Sequence, residues 1–133
     1  MLSYLEYCTE DALLKHHGQT YKVSGISETS GSNYDYTVIL GKSITQVYTV
    51  GSGSWSIGTY ERIVGGTEFY GNGDACGSNI KREAKITFFA GRETKMLEAS
   101  EPSTCKYEFS MQINCNNGNN MVQKRMAQFY GFI

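Results

Sequence analysis

The sequence predicts an all-β domain, built as a barrel or a sandwich. Three observations predict it. Runs rich in Val, Ile, Thr and Tyr recur at intervals of about ten residues, punctuated by Gly, Ser and Asn. One run, Lys106–Asn114, alternates strictly, with Tyr107, Phe109, Met111 and Ile113 set against Lys106, Glu108, Ser110, Gln112 and Asn114. That is the period of a strand with one buried face. Only one early stretch carries a good helical start and stop signal, which leaves little from which to build a helical layer.

The helical stretch comes first. Thr9 is placed to cap, Glu10 and Asp11 lie in the first turn where the helix dipole favours negative charge, and Gly18 ends the run after Ala12, Leu13 and Leu14. A short helix over 9–17 is expected, with His16 and His17 on its polar face. Strands are then expected over Gln19–Ile26, Tyr34–Leu40 and Lys42–Val50. Ser27–Asn33 is a polar turn, and Gly41 is the hinge between the second and third strands. Gly51-Ser52-Gly53-Ser54 turns into a strand over Trp55–Ile63, and Gly65-Gly66 turns again into Thr67–Tyr70. Gly71-Asn72-Gly73-Asp74 reads as a loop. Glu83–Ala90 and Arg92–Glu98 read as a hairpin joined near Gly91. After Lys106–Asn114, residues Asn116–Asn120 turn once more. Met121–Tyr130 fits either a last strand or a short helix, because Val122, Met126 and Phe129 also match helical spacing.

A chain of 133 residues is one domain with room for a core. Twelve Lys and Arg against 13 Asp and Glu give a net charge of −1, so there is no electrostatic case for nucleic acid or an anionic membrane surface. No apolar run approaches the ~20 residues that span a bilayer. The N-terminus, Met-Leu-Ser-Tyr-Leu-Glu-Tyr-Cys, lacks the basic and apolar regions of a signal peptide. Yet four cysteines among many Gly, Ser, Thr and Tyr residues fit an oxidising compartment. The expectation is a domain cut from a longer chain, with Met1 an artificial start and the signal upstream. Four cysteines allow three pairings. There is no C-x-x-C and the two histidines are adjacent, so no zinc site is expected.

The segment from Arg82 to Tyr107 carries the chemistry. Glu101 and Tyr107 bracket Cys105. An arginine fork donates to vicinal hydroxyls, a carboxylate accepts from them, and a tyrosine adds a hydroxyl and a flat ring. Such a set suits an uncharged sugar. Taken singly, Arg82 and Glu101 would be solvated charges. Tyr107 lies on the apolar face of its strand, where packing is expected, unless that face looks into a barrel and Tyr107 is nearest the mouth. Asp74 and Glu68 read as solvated loop charges, not as a glycosidase pair.

Larger blocks of sequence add a resemblance. Gly71-Asn72-Gly73-Asp74-Ala75-Cys76, Arg82, Gly91-Arg92-Glu93-Thr94, the run Glu101-Pro102-Ser103-Thr104-Cys105-Lys106-Tyr107-Glu108-Phe109 and Cys115 resemble a mannose 6-phosphate receptor homology (MRH) domain, most closely the glucosidase II beta-subunit branch. Ile57-Gly58-Thr59-Tyr60 and Lys42-Ser43-Ile44-Thr45-Gln46 fit the same branch. The likeness covers about residues 18–116, within a single domain over 1–133. It implies a flattened β-barrel of two antiparallel sheets with a mannose site at one end. The site signature of one Gln, one Arg, one Glu and one Tyr falls on Gln46, Arg82, Glu101 and Tyr107. A Cys76–Cys105 bridge is implied. Thr20 and Ile39 stand where the family has a further cysteine pair, and Ala90 replaces another cysteine. That leaves Cys115, for which Cys8 is the candidate partner.

By resemblance the domain is a non-catalytic lectin of the endoplasmic reticulum lumen. It would bind terminal mannose of high-mannose N-glycans and, through the full-length beta subunit, present glycoproteins to the catalytic alpha subunit that removes glucose. No metal or cofactor is implied, and no nucleic acid or membrane partner. Gly77 stands where this branch often has a tryptophan after the cysteine, and the lone Trp55 is assigned to core packing or surface shielding ahead of the alternative of contact with sugar. Asn33-Tyr34 replaces the paired tryptophans of the ER-degradation lectins, which argues against that branch. The absence of a histidine near the site argues against mannose 6-phosphate. The competing reading is a protein-interaction module whose sugar site has decayed, and a small glycosidase is the third.

Overall fold

Alternation along the chain sets the architecture. In the computed structural model, which describes residues 13–27, 33–49, 53–77 and 79–114, eight strands form: β1 (Thr20–Ser27), β2 (Asn33–Ile39), β3 (Ser43–Tyr48), β4 (Ser54–Val64), β5 (Thr67–Asn72), β6 (Glu83–Ala90), β7 (Lys95–Ser103) and β8 (Lys106–Ile113). They close into one barrel in the order β1-β2-β3-β4-β5-β6-β8-β7. Tyr36 and Val38 of β2, Ile44 of β3, Ile57 of β4, Ile86 and Phe88 of β6, and Phe109, Met111 and Ile113 of β8 point inward and form the core. Their intervening neighbours face out, as a period of two requires.

The all-β barrel agrees with the sequence, but its strand order departs from the expected hairpin. β6 and β7 do not pair. Instead β8 lies between them, parallel to β6 and antiparallel to β7, with Ala84 opposite Tyr107, Ile86 opposite Phe109 and Phe88 opposite Met111. The barrel closes through a second parallel contact, Ile26 opposite Ser100 and Ser27 opposite Glu101. The described strands therefore make one closed sheet of mixed pairing, not two purely antiparallel ones. β6 and β8 carry matching rows of buried apolar side chains, whereas most side chains of β7 are partly or fully exposed. Gly91–Thr94 is thus a crossover, tied down on the end of β8. Gly91 N donates to Ile113 O at 2.9 Å, and Asn114 donates to Thr94 Oγ1 and Arg92 O at 3.0 and 2.9 Å.

Two further expectations shift. Gly71 and Asn72 belong to β5 and pair with Thr59 and Gly58. Those glycines serve close approach, since a Cβ on Gly58 would fall within 2.9 Å of the Gly71 backbone. β7 runs on through Glu101 and Pro102 to Ser103, with an irregular register between Ser100 and Ser103 that accommodates the proline. The true hairpin turn is Thr104-Cys105, where Cys105 adopts φ 65°.

Of the helix expected over 9–17, Leu13 and Leu14 are helical and 15–18 form turns; the remainder lies outside the described residues, as do Met121–Tyr130, Cys8 and Cys115. His17 is no surface residue. Its Nε2 meets Glu68 Oε2 at 2.6 Å, Tyr70 Oη donates to Glu68 Oε1 at 2.7 Å, and Gly41 N donates to Tyr70 Oη at 2.8 Å. Glu68 is 0% exposed, so it is a buried strand carboxylate and not a solvated loop charge. Leu13 is buried as well, so the turn is anchored at the rim marked by Gly41 and Gly65-Gly66.

Candidate functional site

The opposite rim collects the starts of β2, β4, β6 and β8 and the ends of β3, β5 and β7. Here the barrel brings together the side chains singled out from the sequence. Gln46, second from the inward end of its row on β3, is 3% exposed. Tyr107, at the start of β8, is 3% exposed and closes the apolar row above Phe109. Glu101, on β7, is 6% exposed. Arg82 is half-buried just ahead of β6.

Hydrogen bonds join three of them in series. Arg82 Nε donates to Tyr107 Oη at 3.4 Å, Tyr107 Oη donates to Gln46 Oε1 at 3.3 Å, and Gln46 Nε2 donates to Tyr36 Oη at 3.1 Å. The chain fixes the Gln46 amide orientation, and among the described residues its second N–H has no acceptor. Tyr36, with its ring edge-on to Tyr107 and Phe109, is a member of the network that sequence reasoning missed. Its inward register opposite Gln46 was the available signal. Burial holds both phenols protonated. The Tyr36 hydroxyl is pushed up to about 12. Tyr107 is also raised, by burial first, although its hydrogen bond from Arg82 works the other way.

Glu101 acts on the same phenols. Its negative charge contributes to the upward shift of both Tyr36 and Tyr107. Glu101 Oε2 accepts from Cys105 N at 2.7 Å, a bond that the positive φ of Cys105 presents. The glutamate is thus oriented by its own hairpin turn. Charge-assisted bonds of this kind are stronger than neutral ones.

Arg82 is positioned by the loop that precedes it. Asp74 exchanges hydrogen bonds with Ser56 of β4, N to O at 2.8 Å and Ser56 N to Asp74 Oδ2 at 2.8 Å. Gly73 N donates to Arg82 O, and Arg82 N donates to Asp74 O. The guanidinium Nη1 donates to Ala75 O at 2.7 Å and to Asp74 O at 3.4 Å. A disulfide, Cys76–Cys105, then ties this loop to the β7–β8 turn, joining the segment that carries Arg82 to the one that orients Glu101. Trp55 stands at this rim with the Arg82 guanidinium 5.5 Å from its ring centroid. Among the described residues no cluster of three or more His, Cys, Asp or Glu could hold a metal.

Comparison with known proteins identifies the family and the fold. The family described as glucosidase II beta subunit-like protein matches residues 6–129. Comparison with the curated proteins gives no match. Among solved structures, the MRH domain of glucosidase II beta bound to mannose is 23% identical, covers 74% of this chain and 92% of its own, and superposes with a TM-score of 0.56. A tryptophan-to-alanine point mutant of the GBII-beta MRH domain is 25% identical over 72% of this chain and 89% of its own, with a TM-score of 0.55. The MRH domain of Yos9 complexed with alpha3,alpha6-Man5 shares 14% identity over 90% of this chain and 82% of its own, at a TM-score of 0.53. The chain belongs to the glucosidase II beta subunit-like family, and its barrel is an MRH domain.

Proposed function

We propose that this domain is a non-catalytic lectin that binds terminal mannose of high-mannose N-glycans through Gln46, Arg82, Glu101 and Tyr107. The observation that carries the reading is the continuous chain Arg82–Tyr107–Gln46–Tyr36, assembled from four separate segments at one rim, with the buried Glu101 held on the Cys105 N–H two residues before Tyr107. Preorganised donors and acceptors of fixed direction are what a neutral polyol requires. Arg82 presents its remaining Nη2 edge to two vicinal hydroxyls. Glu101 accepts from hydroxyls, and the second Gln46 N–H meets the axial 2-hydroxyl that separates mannose from glucose. The mannose-bound glucosidase II beta MRH domain supports the ligand class.

In this reading the domain works in the lumen of the endoplasmic reticulum as part of a beta subunit. It holds glycoproteins near a catalytic alpha subunit, raising the local glycan concentration as a tether does. Its own chemistry is binding. A glycosidase needs a paired acid and base or nucleophile across the scissile bond, whereas Asp74 is engaged by the Ser56 backbone and Glu68 is buried with His17 and Tyr70.

The test is a titration of the oxidised protein with α-mannobiose, followed by NMR, with glucose as control. Saturable binding that perturbs the four residues, and that Glu101→Gln abolishes without unfolding, is the expected result. A folded domain that ignores mannose at millimolar concentration would reject the lectin reading in favour of a protein-interaction module.

A further inference from the structure

Inward-facing rows on β3 and β4 continue past the core to the polar rim. On β3 the row runs Ile44, Gln46, and Trp55 lies opposite Gln46 on β4, one inward position beyond buried Ile57. Trp55 is half-buried there and not packed away. The Tyr34 ring meets the indole edge-on at 6.3 Å, fixing its tilt. A Cβ on Gly53 would collide with the far end of the indole, so the backbone before β4 also closes on it. Its ring lies 5.5 Å from the Arg82 guanidinium carbon, within the range of a cation–π contact.

The guanidinium is therefore held from several directions. Nη1 is anchored on the Ala75 and Asp74 carbonyls, Nε is anchored on Tyr107, and the indole supports the cation. Among the described residues Nη2 makes no hydrogen bond. Its direction is set by the anchors on the other two nitrogens and by the ring. On the other side of this loop Gly77 offers no side chain, and a Cβ there would meet nothing within 4 Å. Trp55 is thus the aromatic surface that this rim supplies next to the Arg82 and Gln46 donors.

We propose that Trp55 is a sugar-contacting and positioning residue of the mannose site, giving the apolar C–H face of the pyranose a wall while holding Arg82 in its donating pose. The proposal rests on the lectin reading above and adds to it a residue outside the Gln, Arg, Glu and Tyr set. An aromatic face with directional polar groups at its edge is the usual makeup of a small-ligand site.

Trp55 is the chain's single tryptophan, so it reports on itself. Fluorescence of the 133-residue chain and the NMR signal of its one indole N–H are followed during titration with α-mannobiose, alongside the backbone amides of Tyr107 and Gln46. The indole signal should saturate with the same midpoint as those amides. Trp55→Ala should weaken binding about tenfold, the factor given by losing about 1.4 kcal/mol of stacking and cation–π contact. Trp55→Phe should recover most of the loss, since it restores a ring face. Mannose binding that moves the amides but leaves the indole unchanged, or an alanine variant that binds within about twofold of the parent, overturns the proposal and leaves the lectin intact. Absence of any mannose binding to the folded parent overturns both. If the alanine variant does not fold, the parent's indole response and the phenylalanine variant decide the question.

Discussion

Tyr107 donates its phenolic hydrogen to Gln46 Oε1 at 3.3 Å, across 61 positions of sequence. Tyr107 Oη in turn accepts from Arg82 Nε at 3.4 Å. One hydroxyl therefore orients both the Gln46 amide and the Arg82 guanidinium, the two groups proposed to read different parts of a sugar. Tyr107→Phe keeps the ring and its packing against Tyr36 but removes that junction. We expect a stability loss of about 1–2 kcal/mol, because the buried Gln46 and the half-buried Arg82 each lose a bond. Mannose affinity should fall by about tenfold or more. Urea unfolding and NMR titration measure the two effects separately; a variant with parental affinity would show that the series of bonds does not organise the site.

The strands were legible because most of them alternate. Tyr36-Thr37-Val38 and the whole of β8 announce their inward faces directly. Strand order was not legible, since neighbours in sequence are usually neighbours in a sheet and nothing local to Gly91 signals that β8 will insert between β6 and β7. β5 misleads in a different way. In Thr67-Glu68-Phe69-Tyr70 the glutamate faces in and the phenylalanine faces out, where Arg62 lies 4.4 Å over its ring. The reversal depends on His17 and Tyr70 receiving the carboxylate, a long-range condition that no window of sequence contains. Arg82, Glu101 and Tyr107 could be picked out by residue type around Cys105, and Gln46 by resemblance. Tyr36 and Trp55 join them only through strand register.

Glu68 makes the far rim the fragile one. Both carboxylate oxygens are engaged, by His17 and by Tyr70, and the side chain is wholly buried. Glu68→Ala leaves His17 and the Tyr70 hydroxyl without their acceptor and opens a void. A loss of about 3–5 kcal/mol is expected, as for other broken buried pairs. Urea denaturation followed by circular dichroism would measure it. A change below about 1 kcal/mol would mean that the pair contributes nothing net. Molecules that remain folded should bind mannose normally, because the proposed sugar site lies at the other rim.

The Cys76–Cys105 bridge closes a span of 29 residues with its Cα atoms 6.4 Å apart. Replacing both cysteines with serine should cost about 2–4 kcal/mol by relaxing the constraint on the unfolded chain. Function should suffer beyond that. The bridge fixes the loop of Arg82 against the turn of Glu101, so mannose affinity should drop even under conditions where the double variant is fully folded. Affinity unchanged at full folding would show that Asp74 and Ser56 hold the loop without help.

Alkali should unfold this barrel through its tyrosines. Burial pushes the Tyr36 hydroxyl from its ordinary 10.0 up to about 12, and it raises Tyr70 and Tyr107 as well. The folded state keeps the Tyr36 proton in a range where the unfolded chain releases it. That contribution to stability is complete below pH ~10 and is lost as pH rises toward about 12, at about 1.4 kcal/mol per pH unit for Tyr36 alone. Urea midpoints measured from about pH 8 to about pH 11.5 should be steady at first and then fall steeply, with tyrosinate absorbance appearing together with loss of structure. Tyr36→Phe should lower stability at neutral pH, since Gln46 loses its acceptor, and should make the alkaline decline shallower. A parent and variant with the same alkaline slope would show that Tyr36 is not the group whose proton the fold retains.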